Sequence, residues 1–207
     1  MPAEARRNEG PHPIEVESYR VLERRVDLSP WPDEQRAIVA RVVHATADVS
    51  FAWSMRIGAG ALGAAVNALR QGAPVVCDSH MLRVGVTDVD AVCLLDEIPV
   101  APQGSTRSAA AMALAAQRYP IDALWVVGNA PTALLELLRR WGQGELRPAA
   151  VVGLPVGFVG AREAKTSLWG SELSRVAITN TGEKGGTAAA AGAVNALIRQ
   201  ARGLSGA

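Results

Sequence analysis

The sequence lacks several features that would assign it to a large class of proteins. It has a formal net charge of +1 and only 4% aromatic residues, so neither a basic surface nor aromatic stacking platforms predict nucleic-acid binding. No apolar run reaches the roughly 20 residues that a membrane-spanning helix needs. The start, MPAEARRNEGPHP, has no hydrophobic signal core, and we expect a loose polar lead over residues 1–12.

Cysteine is also scarce, and its placement excludes several kinds of chemistry. Cys77 and Cys93 each lie in a short apolar run, without CxxC or metal-ligand spacing, so we expect reduced, buried strand residues. No His/Cys/carboxylate cluster predicts a metal site. The G-x-S-x-G motif of serine hydrolases is missing as well. These absences together predict a soluble cytoplasmic protein with no metal.

What the chain does contain is an alternation of short apolar runs with longer helical patterns. The runs have strand length, and nearly unbroken apolar strands are typical of a parallel sheet covered on both faces. They are PVVC, AVCLL, ALWVV, AAVVG and RVAIT. The sequence therefore predicts an α/β fold: a mostly parallel five-stranded sheet with helices on both faces, after a helical N-terminal third. We expect a single domain over residues 13–203.

One histidine stands in a small, apolar stretch, RVVHATADVSF, from Arg41 to Phe51. The apolar residues of the predicted helix fall on one stripe: Ile38, Val42, Ala45 and Val49. His44 lies off that stripe, with Arg41 three residues before it and Asp48 four residues after it. The helix is expected to begin near Ser29-Pro30. This pattern fits a rim histidine held by a neighbouring carboxylate as well as a functional one.

Four loops that precede predicted helices are rich in glycine, hydroxyl and basic residues. They are QGSTRSAAA, VVGNAPTALL, VGLPVGFVGAREAK and ITNTGEKGGTAAAA. Each has an ordinary explanation as turn and capping chemistry. Because ligands bind outside the carboxyl ends of such sheets, and free amides at helix starts bind anions, four such loops at one edge favour a wide anion-binding pocket. The candidate residues are Thr106, Arg107, Ser108, Asn129, Lys184, Gly185, Gly186 and Thr187.

A competing motif must be weighed. Gly58 to Gly63 match G-x-G-x-x-G, and Asp78 follows at the distance of a ribose-binding acid. The preceding FAWSMRI is a poor buried strand, because it carries Ser54 and Arg56 and follows a helix directly. We favour a loop and helix start here, and keep a nicotinamide- or flavin-dependent enzyme as an alternative.

His80, after another predicted strand, is the second histidine candidate.

Taken in order, the segments resemble the precorrin-8X methylmutase (precorrin isomerase) family of cobalamin (vitamin B12) biosynthesis. The resemblance covers nearly everything from Pro13 to Leu197. The segments that carry it are PIEVESYRVL, VVHATADVSFA, GAPVVCDSHMLRVGVT, GSTRSAAAMAL, VVGNAPTALLELL, PAAVVGLPVGFVGAREAK and GGTAAAAGAVNAL. The combination of CDxxM, NAPTAL and GLPVGFVGA is far more specific than the glycine pattern, and the family needs no dinucleotide.

The resemblance implies an isomerase that moves a methyl group between adjacent ring carbons of precorrin-8X, or cobalt-precorrin-8. The product is hydrogenobyrinate, or cobyrinate. The shift is treated as a [1,5]-sigmatropic rearrangement that uses no redox cofactor and no external methyl donor. By the same resemblance His44 is the catalytic acid, Ser18 and Arg41 contact the tetrapyrrole substrate, and the protein is a homodimer with its pocket near the subunit interface.

Two positions depart from the family pattern. Ala47 stands where the family often has glycine, and the run NTGEKGG places Glu183 in a loop where the family tends to carry arginine. An acidic residue beside a polycarboxylate pocket is unexpected. It leaves open a second class of function, a corrinoid-binding protein of the same fold that does not turn its ligand over.

Overall fold

The computed structural model describes residues 12–204, and in this range the chain forms nine α-helices and six β-strands. The helices are α1 (Pro13–Arg25), α2 (Asp33–Thr46), α3 (Phe51–Ser54), α4 (Ala61–Arg70), α5 (His80–Gly85), α6 (Arg107–Arg118), α7 (Pro131–Gly142), α8 (Ala161–Trp169) and α9 (Thr187–Ala201). The strands are β1 (Met55–Ile57), β2 (Val75–Cys77), β3 (Ala91–Val92), β4 (Leu124–Val127), β5 (Ala150–Gly153) and β6 (Ala177–Asn180). Leu95–Glu97 and Glu172–Val176 are 3₁₀ helices.

The six strands form one sheet in the order β1-β6-β5-β4-β2-β3. The five predicted strands are all present and pair in parallel, which confirms the α/β prediction. The strand count was one short, because β1 pairs antiparallel with β6 at the edge of the sheet. An edge strand of three residues has few buried positions, so its MRI sequence shows no apolar run. The carboxyl ends of β2, β4, β5 and β6 meet at one edge, here called the carboxyl edge.

Alternation along the central strands gives the sheet an apolar surface on both faces. In β4, Leu124 and Val126 pack into one buried cluster with helices α2, α4 and α9. Trp125 and Val127 point into the opposite cluster with α6, α7 and α8. Period-two alternation between two apolar layers is what helices on both faces require. The core therefore lies in two layers, one on either side of the sheet.

Helix α2 lies antiparallel to α9, with its carboxyl end at the carboxyl edge. Close contact is possible because Gly192 faces α2, where an added Cβ would lie 3.2 Å from the Arg41 carbonyl oxygen. The prediction that α2 begins near Ser29-Pro30 was wrong: Pro32 is its N-cap. Ser29 belongs to the preceding turn, where its amide donates to Asp27 Oδ1 at 2.8 Å. Of the predicted stripe, Ile38 and Val42 are buried, whereas Ala45 is exposed.

Both cysteines are free. Burial raises the pKa of the Cys77 thiol to about 12, whereas Cys93 is half-buried just beyond β3. Within residues 12–204, no helix combines the length and apolar character needed to cross a membrane. Most of the predicted polar lead, residues 1–11, lies outside the described residues. His12, the last residue of that lead, caps α1 by accepting the Ile14 amide at 3.2 Å.

Candidate active site

His44 lies in the last turn of α2, where it is half-buried. Its Nδ1 is 2.9 Å from the Ser18 hydroxyl. The imidazole also stacks on the Tyr19 ring, with centroids 4.7 Å apart and an interplanar angle of 8°. Two residues of α1 therefore fix both the plane of the imidazole and one of its nitrogens, and Nε2 is left as the nitrogen that can act on a ligand.

Arg41, one turn before His44 on α2, also binds residues of α1. Its guanidinium donates to Glu15 at 2.5 Å and to the Tyr19 hydroxyl at 3.2 Å. The hydrogen bond from Arg41 lowers the pKa of Glu15. Burial opposes the charged form of Arg41, but hydrogen bonds to Tyr19 and Glu15 outweigh it and raise its pKa. Arg41 is thus a permanent cation held by one carboxylate, which a ligand carboxylate must displace or share.

Asp48 does not hold His44, as the rim-histidine alternative required. It binds Lys184 across the carboxyl edge, with Lys184 Nζ 2.7 Å from Asp48 Oδ2 and 3.0 Å from the Ser50 hydroxyl. The hydrogen bond from Lys184 lowers the pKa of Asp48. The loop after β6 is therefore joined to the segment that follows His44, and the structure brings two sequence-predicted residues, His44 and Lys184, to the same end of the molecule.

Three helices that begin at the carboxyl edge start without a side-chain cap: α7, α8 and α9. Their first-turn amides point toward this edge, and amides at helix starts attract anions. At α9 the chain enters through Gly185 and Gly186. An added Cβ on Gly185 would lie 2.3 Å from the Leu154 carbonyl oxygen, and Gly186 has φ +113. Thr187, the first residue of α9, is half-buried.

The predicted residues Thr106 and Arg107 have structural partners. The Thr106 hydroxyl accepts the Ala109 amide at 3.1 Å and so caps α6. Arg107 donates to the carbonyl oxygens of Leu95 and Ile98, at 3.0 and 2.7 Å. These bonds leave the Arg107 charge unpaired by any carboxylate of the described chain, so it remains available to an anion.

The remaining candidate residues differ in solvent exposure. Ser108 is half-buried near the start of α6. Asn129 is exposed two residues after the end of β4. His80 forms a hydrogen bond of 2.9 Å with the exposed Asp96, which places it with the segment after β3 and not with Ser18 and Tyr19.

The Gly58 to Gly63 motif does not form a dinucleotide site. Gly58 follows an antiparallel edge strand, and an added Cβ there would lie 2.0 Å from the Ser174 carbonyl oxygen. Asp78 is only 3% exposed. Its carboxylate accepts the amides of Gly128, Asn129 and Ala130 at 3.1, 2.9 and 2.7 Å. Burial raises the pKa of Asp78, and the three amides act in the opposite direction. This carboxylate holds a turn and cannot reach a ribose.

The departure at Glu183 also has a structural explanation. Glu183 forms an ion pair with Arg162 of α8, and that hydrogen bond lowers the pKa of Glu183. Its negative charge is therefore balanced by α8, so it does not face the candidate site as a free carboxylate.

A cavity of about 1060 Å³ lies between α1, α2, α4 and α9. Tyr19 and Arg41 contribute to its wall, but His44 does not. Its other charged lining residues are of both signs: Glu23, Asp27, Asp33, Glu34, Arg36, Arg70 and Arg199. The four carboxylates of the lining offset its four arginines, and His44 does not contribute to the wall, so the carboxyl edge, where the half-buried His44 lies, is the better candidate site.

Sequence reasoning missed Glu15 and Tyr19, although a signal for them existed. In the helix PIEVESYRVL, Glu15, Ser18 and Tyr19 have the spacing i, i+3, i+4, which places them on one face. No group of three or more His, Cys, Asp or Glu residues in the described range is arranged to hold a metal ion.

Comparison with known proteins gives a consistent result. The profile of the family described as Precorrin-8X methylmutase matches residues 13–200. The chain is 34% identical to a cobalt-precorrin-8 methylmutase of Synechocystis, with 90% of this chain and 94% of the relative covered. It is 35% identical to a precorrin-8X methylmutase of Sinorhizobium, with 88% and 91% covered.

A solved structure agrees with the sequence comparison. The precorrin-8X methylmutase of Thermus thermophilus superposes with a TM-score of 0.82 at 34% identity. The match covers 93% of this chain and 98% of that structure. Fold, length and sequence therefore agree over nearly the whole chain.

Proposed function

Because the chain belongs to the precorrin-8X methylmutase family, a family of isomerases of cobalamin biosynthesis, we propose that His44 is the acid that promotes methyl transfer in this protein. The substrate is precorrin-8X or cobalt-precorrin-8, and the methyl group moves between adjacent ring carbons to give hydrogenobyrinate or cobyrinate. The observation that supports the proposal is the imidazole held by Ser18 and Tyr19 at the carboxyl edge.

The geometry suits a histidine that gives and recovers one proton. In the imidazolium form, Nδ1–H donates to the Ser18 hydroxyl, 2.9 Å away, and Nε2–H is directed to the ligand. The last turn of a helix is a position at which positive charge interacts favourably with the helix dipole. When Nε2 gives its proton to a ring nitrogen or conjugated carbon, charge is redistributed so that the methyl can migrate, and Nε2 recovers the proton afterwards. Throughout, Nδ1–H continues to donate to the Ser18 hydroxyl.

Substrate binding follows from the charges around this edge. The tetrapyrrole is a polycarboxylate, and Arg41, Arg107 and Lys184 supply cations while the starts of α7, α8 and α9 supply amides. Ser18, Thr106, Ser108, Asn129, Gly185, Gly186 and Thr187 complete the proposed contacts. Holding the macrocycle in one geometry contributes the orientation that a unimolecular shift requires.

We further propose that the protein is a cytoplasmic homodimer. Two free cysteines fit a reducing compartment. An apolar pair beside the proposed site supports association, since Phe158 is 96% and Val159 is 89% exposed. Light scattering on the purified chain should give the mass of two chains, and the mass of one chain would contradict this proposal.

Incubation with precorrin-8X, followed by the visible spectrum, tests the catalytic assignment. His44→Ala should lower kcat by a factor on the order of 10²–10⁴, and His80→Ala is the matched control, because that histidine is bound to Asp96 instead. An unchanged rate in His44→Ala would show that this residue is not the acid. If wild-type protein bound the tetrapyrrole without converting it, a binding function would replace the enzymatic one.

A further inference from the structure

Lys165 is a buried cation with no part in the catalytic proposal above. Helix α8 places it beneath the carboxyl end of β6, where the residue is 1% exposed. Burying an ammonium group is costly unless it is paired and hydrogen-bonded. Among the described residues, no carboxylate forms an ion pair with it, so its position must be explained by its other contacts.

Those contacts are two oxygens of a single turn. Lys165 Nζ donates to Asn180 Oδ1 at 3.0 Å and to the Lys184 carbonyl oxygen at 2.5 Å. The Asn180 side-chain amide donates in turn to the carbonyl oxygens of Lys184 and Thr181, at 2.9 and 3.1 Å. Lys165 and Asn180 thus close the turn formed by residues 180–184 from its buried side.

This turn controls the orientation of two parts of the proposed site. On its outer side, the Lys184 ammonium extends to Asp48, just after α2. Along the chain, the turn leads into Gly185 and Gly186, and the Gly186 amide donates to the Leu154 carbonyl oxygen at 2.8 Å. Lys165 therefore fixes, through the backbone of one residue, both a cationic side chain and the start of α9.

We propose that Lys165 is a positioning residue for substrate carboxylates: its buried ammonium holds the turn of residues 180–184 so that Lys184 and the first amides of α9 face the substrate. This inference rests on the proposed function, since it assigns the polycarboxylate tetrapyrrole as the ligand. Lys165 acts through the turn and does not itself touch the substrate.

The arrangement has a consequence for pH dependence. Burial lowers the pKa of Lys165 to about 8, while Glu183 acts to raise it and Arg162 to lower it. On the neighbouring α7, the charged side chains Glu136, Arg139 and Arg140 pair with one another. On the 3₁₀ segment Glu172–Val176, the charged residues Glu172 and Arg175 are exposed. The residue of β6 that contacts the Lys165 ammonium is the uncharged Asn180. As the pH rises through 8, the Lys165 side chain that binds the turn loses its positive charge.

The sequence makes this testable with little ambiguity, because Lys165 and Lys184 are its only lysines. NMR of protein carrying ¹³C-labelled lysine gives two side-chain signals, and Lys184→Met assigns them. We expect the Lys165 signal to titrate near pH 8, and the amide signals of Gly185 and Gly186 to shift with the same midpoint. Amide signals of Gly185 and Gly186 that do not follow the titration of Lys165, whatever its midpoint, overturn the inference.

Kinetics with precorrin-8X provide the second measurement. Relative to Lys165→Met, the KM of wild-type protein should rise by about tenfold between pH 7 and 9, because a charge-assisted hydrogen bond is lost. The pH dependence of kcat, to which His44 contributes, should be the same in the two proteins. In Lys165→Met, KM should already be raised at pH 7 and the alkaline rise should be absent. A wild-type KM and pH profile in this variant contradicts the inference. If Lys165→Met does not fold, Lys165→Arg, which stays charged, should fold and lose the alkaline rise.

The two proposals fail in different ways. If wild-type protein converts no tetrapyrrole but the glycine amides follow Lys165, the proposed function is wrong and the hold of Lys165 on the turn stands. If conversion occurs and the amides do not follow Lys165, the present inference is wrong and the proposed function stands.

Discussion

Asp78 provides the sharpest test of how the carboxyl edge is built. Its carboxylate is the shared acceptor for three consecutive amides that follow β4, at 3.1, 2.9 and 2.7 Å. In Asp78→Asn, one side-chain oxygen can keep the two shorter bonds, to Asn129 and Ala130. The new side-chain NH₂ then meets the Gly128 N–H, so two donors face each other in a buried place.

The magnitude follows from these contacts. One buried amide loses its acceptor and the other two lose a charged partner, while a neutral side chain is less costly to bury than a carboxylate. We expect the free energy of unfolding to fall by about 2 kcal/mol in Asp78→Asn, and by about 4 kcal/mol in Asp78→Ala, which abandons all three amides. The exposed Asp90 is the matched control, and Asp90→Asn should stay within about 0.5 kcal/mol of wild type.

Urea unfolding followed by circular dichroism measures these differences, and equal m-values in all variants show that the unfolded states are comparable. If Asp78→Asn were as stable as wild type, the three amides would not depend on the carboxylate. The turn that presents Asn129 would then be held by its flanking strand and helix alone.

Other predictions concern the backbone and the buried lysine. Ala47 ends α2 with φ 52, a left-handed conformation that is strained for residues other than glycine, so Ala47→Gly should raise the free energy of unfolding by about 1 kcal/mol. Gly185→Ala should lower it by about 2 kcal/mol or more in urea unfolding, because its Cβ would lie 2.3 Å from the Leu154 carbonyl oxygen. Gly63→Ala, where an added Cβ meets nothing within 4 Å, should instead stabilise α4 by about 1 kcal/mol. The pKa of Lys165 is lowered from 10.5 to about 8, so in that window the folded state binds fewer protons than the unfolded chain. Wild-type stability relative to Lys165→Met should therefore rise with pH by about 3 kcal/mol, and a difference that is flat or falls with pH contradicts the lowered pKa.

The sequence predicted the central sheet well, because strands covered on both faces are continuous apolar runs. AVVG and ALWVV could be recognised from their residues alone. β1 could not, since a three-residue edge strand containing Arg56 carries no such pattern. The start of α2 was misplaced because Ser29 has the residue type of a cap, but its amide binds Asp27 in a turn.

The residues of the candidate site could be proposed in part from the sequence, and the contacts that were missed join residues far apart in the chain. His44 and Lys184 were identified as candidates, and a contact between His44 and Asp48, four residues later, was one of the two interpretations left open. The actual partner, Ser18, is 26 residues away on α1. Spacing along one helix reveals which side chains share a face, whereas the choice between two competing partners is made by the packing of another helix.

Tyr19 contacts both the proposed substrate-binding Arg41 and the proposed acid His44. The phenol hydroxyl binds the Arg41 guanidinium while its ring supports the imidazole. A ligand that draws Arg41 toward itself would therefore also displace the Tyr19 ring, on which the proposed proton donor His44 stacks. Phenylalanine at position 19 would keep the ring that stacks on His44 but lose the hydrogen bond to Arg41. Such a variant would separate the affinity for the macrocycle from the orientation of the proposed proton donor.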